Sequence, residues 1–233
     1  MLSNPFSLAA LGPTDIAALV VLFVASVSLG WIIEHPPKSR PSVAVLMVAY
    51  RRAWMRQFVT RQPRIFDANV IDNLRQGTAF FASACLIALG GGLALIGNSE
   101  ALQGVAADLT IPLGGPALEL KVAIVLLFLA DALLKFLWAH RLFGYCAIVM
   151  AAVPNDPADP AAYPMADQAA GINITAARGF NRAMRSIYFA LGATGWLAGP
   201  FVLMATTLLT VAMLLRREFA SDSRAVILSH PAP

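Results

Sequence analysis

Asp131 and Lys135 are the residues whose types and placement most directly suggest chemistry. They stand four residues apart in the apolar run from Leu120 to Arg141. On a helix that spacing puts both on one face, close enough to pair. At about 1.5 Å per residue, Asp131 falls roughly 15 Å beyond Lys121, near the middle of a hydrocarbon layer about 30 Å thick. A charge at that depth costs on the order of 2.5–3.5 kcal/mol on insertion scales, so it must pair or turn toward other helices. Two chemistries follow. One is an intrahelical ion pair inside a helix bundle, with Lys135 reaching toward the membrane edge. The other is a proton or ion relay through Asp131, the one acid well inside an apolar run. The ion pair is the preferred reading.

A second constellation stands at the ends of the apolar runs. Asn69, Asp72, Asn73 and Arg75 precede one run, and Arg178, Asn181, Arg182 and Arg185 precede another. His140 and Arg141 close a third. Asn73, Arg75, His140, Arg141, Asn181, Arg182 and Arg185 could thus converge at the membrane edge on a small anion or an anionic lipid head group. The competing reading is plain interfacial anchoring. His35, His140 and His230 are far apart in sequence, so no metal or haem site is expected. Cys85 and Cys146 have neither metal-binding nor redox spacing. No nucleophile elbow, phosphate loop or zinc-protease pattern occurs, so no catalytic residue and no cofactor are expected.

The elements that must position these residues follow from composition and period. The chain has 233 residues, 58% of them hydrophobic and 13% charged. Soluble domains average about half apolar and about a quarter charged. The apolar residues also cluster into runs, which predicts an all-α polytopic membrane protein. We expect one membrane domain over residues 1–233, a bundle of four transmembrane helices with cytoplasmic amphipathic helices. The spans fall near residues 16–33, 78–96, 120–141 and 187–215. No Lys or Arg precedes Lys38, so the first run lacks the basic region of a signal peptide and is read as a retained helix.

Residues 38–77 form a strongly basic stretch. Within it Val43, Leu46, Met47, Tyr50, Trp54 and Phe58 recur at helical spacing, with Arg51, Arg52 and Arg56 elsewhere on the surface. Such a helix can lie in the head-group layer. Pro63 interrupts it, and a helical period resumes at Ile65 that can run into the second span. Ala84, Ala88 and Gly92 form a small-residue stripe for helix packing, as do Gly195 and Gly199 in the last span. The Gly199-Pro200 step predicts a kink there. Pro154, Pro157, Pro160 and Pro164 mark a linker over residues 154–164, with a helix restarting near Met165. Two readings of residues 142–153 remain open, a continued third helix or an interfacial piece.

Positive charge sets the expected orientation. The 97–119 loop holds Glu100, Asp108 and Glu119 and no basic residue, so the 38–77 stretch should be cytoplasmic and the N-terminus outside. Four spans then put the C-terminus outside, against the charge of Arg216 and Arg217. A net charge of +4 suits an anionic membrane surface better than nucleic acid, because no basic patch sits on a soluble domain. High Ala content without a eukaryotic targeting signal suggests a bacterial plasma membrane.

Several stretches together resemble a known family. They are Tyr50-Arg51-Arg52-Ala53-Trp54-Met55, Arg64-Ile65-Phe66-Asp67-Ala68, Asn73-Leu74 and Phe80-Phe81-Ala82-Ser83. Lys135-Phe136-x-Trp138, Tyr145-Cys146, Phe180-Asn181-Arg182 and Tyr188-Phe189-Ala190-Leu191 complete the set. The combination resembles the membrane family called domain of unknown function 599, over roughly residues 15–215. The resemblance implies a bacterial-type integral membrane protein of about four helices and transfers no catalytic residue.

The function expected from these readings is non-enzymatic. The protein would be a scaffold, an accessory subunit or a homo-oligomer, with the lipid bilayer, anionic head groups or a larger membrane complex as partners. The alternative is a small ion- or proton-coupled transporter or channel using Asp131 and Lys135.

Overall fold

Pro13 supplies a fixed φ where a helix can begin without losing a hydrogen bond, and the apolar run after it gives α1 (Pro13–Glu34). In the computed structural model, which describes residues 11–98, Gly104 and 117–230, every regular element is a helix. Ala18, Leu22, Leu29 and Ile33 of α1 are buried along one stripe. Ile16, Val20, Val24, Val27 and Trp31 on its other sides are exposed, as a surrounding hydrocarbon would permit.

The basic stretch holds the expected amphipathic helix. Ser42 caps α2 (Val43–Thr60), its Oγ accepting from the Val45 amide at 3.3 Å and donating to the Ile33 carbonyl at 2.8 Å. The packed face of α2 shares Phe58 with the expected one and turns toward Met55 and Val59. Met55, Phe58 and Val59 are its buried residues, and Arg51, one turn before Met55, lies on that same face. After Pro63, α3 (Ile65–Gly97) runs unbroken through the expected second span. The helix α4 (Ala117–Ala152) continues past residue 141, so residues 142–152 extend the third helix. Glu100 and Asp108 lie outside the described residues. The proline linker is shorter than expected, because α5 (Ala162–Ala193) already includes Pro164 in its first turn, where proline costs little.

The last expected span is not one helix. Its first residues, Ile187 to Ala193, end α5. A 3₁₀ turn follows over Thr194–Ala198, and α6 (Pro200–Phe219) begins anew. Gly199, between them, has φ +120°, a conformation that L side chains rarely adopt. The kink expected at Gly199-Pro200 is therefore a complete break. A short helix, α7 (Asp222–Leu228), is capped by Ser221. Among the described residues, four helical stretches are long and apolar enough to cross a membrane: Pro13–Glu34, Ile65–Gly97, Leu118–Ala152 and Pro200–Leu228.

The helices contribute to two compact units. The first takes the described parts of Met1–Ile32, Ala84–Leu133 and Met184–Leu215. Its core stacks Phe128 on Phe23 at 5.5 Å and on Phe189 at 6.1 Å between ring centroids. Trp196 is fully buried there and its indole N–H donates to Asp15 Oδ1 at 2.7 Å. The α6 helix returns along the end of α5: Thr206 Oγ1 donates to the Gly192 carbonyl at 2.7 Å, and a Cβ on Gly195 would stand 2.5 Å from that same oxygen. Gly92 packs as closely, since a Cβ there would meet Leu126 at 2.4 Å. Ala84 and Ala88, by contrast, face outward.

The second unit takes Ile33–Ser83, Leu134–Ala183 and the described part of Arg216–Pro233. Alanines of α5 at 162, 166, 169, 170, 176 and 177 present a flat face to Met55, Phe58, Val59, Phe143, Cys146 and Met150. Phe81, Phe136 and Phe180 form a second aromatic cluster, with centroids 5.4–5.9 Å apart.

Candidate functional site at the basic face

Asp131 has a hydrogen-bond partner on another helix. The Ser186 hydroxyl on α5 donates to Asp131 Oδ2 at 2.5 Å. A Cβ built on Gly30 of α1 would lie 3.9 Å from the Arg185 guanidinium, the residue before Ser186. Gly30 is one turn, about 6 Å, short of the end of α1. The α4 helix is 36 residues long and so extends beyond one bilayer thickness. Lys135 follows one turn later on α4.

The seven residues that could converge on an anion have different immediate neighbours. Arg182 forms a two-pronged pair with Glu34 at the end of α1, with its Nε 2.8 Å from Oε1. Its hydrogen bonds to that carboxylate push the Arg182 pKa up from its ordinary value. The His140 Nδ1 lies 3.3 Å from the Arg75 carbonyl. Arg141 donates to the Tyr145 hydroxyl and stacks over its ring. Asn73 is exposed, and Arg185 lies beside α1. Asn181 alone of the seven lines the cavity described next.

A cavity of about 250 Å³ opens within the second unit among α2, α5 and the C-terminal helices. Arg51, Arg178, Arg217, Asn181, Glu218 and Ser223 supply its polar lining, and Met47, Val48 and Ile174 part of its apolar wall. Arg51 is held from behind. Its Nη1 donates to Asn173 Oδ1, and Asn173 is itself fully buried with its amide nitrogen 3.7 Å from the Cys146 sulfur. Burial pushes the Arg51 pKa below its ordinary value. The Glu218 carboxylate accepts from the Ala44 amide at 3.1 Å in the first turn of α2, where a helix end favours negative charge. Sequence reading missed this cavity because Arg51 looked like a solvated residue. Its place one turn before Met55 and two before Val59 was the available signal.

A second polar knot is structural. Asp67 is fully buried and accepts from the Trp54 indole at 2.6 Å and from the Arg61 guanidinium. Arg64 donates to the Val153 and Pro154 carbonyls at 2.8 and 2.7 Å, closing the C-terminal end of α4, and stacks over Phe58. No group of three or more His, Cys, Asp or Glu side chains placed to hold a metal occurs among the described residues.

Comparison with known proteins gives one finding. A family model described as "Protein of unknown function, DUF599" matches residues 17–223. No curated protein and no solved structure matches the chain.

Proposed function

Because this chain belongs to the DUF599 family, whose description names no activity, we propose from its geometry that it is a non-enzymatic membrane protein, a scaffold or accessory subunit. One observation carries this reading: several charged groups brace one helix against another. Glu34 ties to Arg182, Asp67 to Trp54 and Arg61, Arg64 to two carbonyls, and Arg224 to the Pro41 carbonyl at 3.0 Å. Asp131 is engaged in the same manner with Ser186. Native mass spectrometry of the protein extracted with its surrounding lipid should show an assembly of fixed stoichiometry. A lone monomer would remove the reading. The relay alternative predicts proton or ion flux in liposomes that Asp131→Asn abolishes. The scaffold reading predicts no such flux and a well-folded Asp131→Asn protein, because the amide oxygen still accepts from Ser186.

The same reading puts the basic stretch in the cytoplasm, in a bacterial plasma membrane, with the N-terminus outside. The contacts Glu218 to Ala44 and Arg224 to Pro41 support a C-terminus on the cytoplasmic side too, in accord with Arg216 and Arg217. That reverses the side reached by counting four spans. Cysteines placed at exposed Ser39 and Ser229 should react with an impermeant thiol reagent from the same side of the membrane. The native Cys85 and Cys146 are buried and should give little background. Labelling of the two positions from opposite sides would refute this topology.

A further inference from the structure

The bracing pattern has an exception in the cavity among α2, α5 and the C-terminal helices. Three guanidinium groups line it, from Arg51, Arg178 and Arg217, against the single carboxylate of Glu218. Among the described residues neither Arg51 nor Arg178 lies in an ion pair. The anchor of Arg51 is a neutral amide, Asn173, so its charge is desolvated without being neutralised. Burying such a charge is costly unless an anion completes it. Glu218 is partly committed to the Ala44 amide. Arg51 and Arg178 together favour an anionic ligand.

We propose that this cavity binds a phosphate group, using Arg51 as the fixed donor and Arg178 and Arg217 as donors at its mouth, with Asn181 and Ser223 completing the hydrogen bonds. Guanidinium groups match phosphate oxygens in a two-pronged geometry that ammonium groups do not reproduce. A cavity near 250 Å³ lies below the roughly 300–1,000 Å³ of sites for whole drug-sized ligands, so it suits a compact anionic group. Arg51 is pre-placed because Asn173 fixes one end of its fork, which lowers the ordering cost of binding. Glu218 acts as a like-charge brake that weakens binding. The site goes beyond the scaffold reading and stands without it. The phosphate can be that of a soluble ion or of an anionic lipid head.

The test uses the full chain and separates the two sources. In one arm, inorganic phosphate is titrated into protein in uncharged detergent at constant ionic strength, and the melting temperature is read. In the other, nanodiscs of phosphatidylcholine with and without phosphatidic acid are compared, and retained lipid is read by native mass spectrometry. A saturable response in the first arm assigns a soluble anion, one in the second assigns a lipid head, and both together assign the shared chemistry. Arg178→Gln, at an exposed position, should weaken the response at least tenfold, and Glu218→Gln should strengthen it severalfold. Arg56→Gln, which removes a surface pair with Asp167, should leave it unchanged. Arg51→Gln should abolish it, and if that variant does not fold, Arg178→Gln still decides. No response in either arm, or a response that survives Arg178→Gln, overturns the proposal.

Discussion

Asp67→Ala is expected to lower the stability of the protein by about 3 kcal/mol, the lower end of the range for removing one partner of a buried ion pair. The lower end applies because the Asp67 side chain is fully buried while that of Arg61 is 34% exposed, so water screens part of the pair. The loss has two parts. Arg61 is left without its carboxylate, and the half-buried Trp54 indole without its acceptor. The second part alone, removed by Trp54→Phe, should cost only about 1 kcal/mol, the net worth of one hydrogen bond. The two substitutions share Asp67, so their effects should not add. Thermal or denaturant unfolding in a fixed detergent measures all three proteins. An Asp67→Ala protein within 1 kcal/mol of the parent would mean that the knot contributes little, and that α2 is held by Met55, Phe58 and Val59 alone.

What could be read from the sequence, and what could not, follows from how local each feature is. The apolar runs identified α1, the later part of α3 and the first part of α4, because a membrane demands about twenty apolar residues wherever a helix crosses it. The amphipathic period of residues 43–58 identified α2 for the same reason, since a helix face repeats within its own sequence. Partnership is not local. Nothing near Asp131 in sequence announces Ser186 as a partner. Arg51 looked solvated because charge outweighs periodicity in a hydropathy reading. Its burial depends on Asn173, more than a hundred residues later. The rim residues could be marked as polar, but whether they converge or anchor separately was open. Arg182, His140 and Arg141 each find a different partner, and only the fold decides which.

The break at Gly199 goes further than the kink its Gly-Pro step predicts, and it makes a prediction whose sign separates two structures. Residues 187–215 are apolar enough to form one helix. In that helix Gly195 and Thr206 would stand eleven residues, roughly 16 Å, apart. Gly195→Ala would then be neutral or would stabilise by up to about 1 kcal/mol, since Gly is a poor helix former. In the hairpin, a Cβ on Gly195 would meet Thr206 Oγ1 at 2.5 Å and Cγ2 at 2.9 Å. Thr206 cannot swing away freely, because its hydroxyl is bound to the Gly192 carbonyl. Gly195→Ala should therefore destabilise by about 1–3 kcal/mol, the usual penalty for overpacking. Adding Thr206→Ala removes both clashing atoms, so the double variant should be more stable than Gly195→Ala alone. Gly199→Ala should cost about 1–2 kcal/mol through backbone strain at φ +120°, and no change at Thr206 should rescue it. Unfolding followed by Trp196 fluorescence reads the hairpin directly, because that indole is buried against Asp15 in the native state. Stabilisation by Gly195→Ala would mean a straight final helix and would remove the basis for a cytoplasmic C-terminus. Destabilisation with rescue by Thr206→Ala would establish that α6 turns back along α5 and returns Arg216, Arg217 and Glu218 to the basic face.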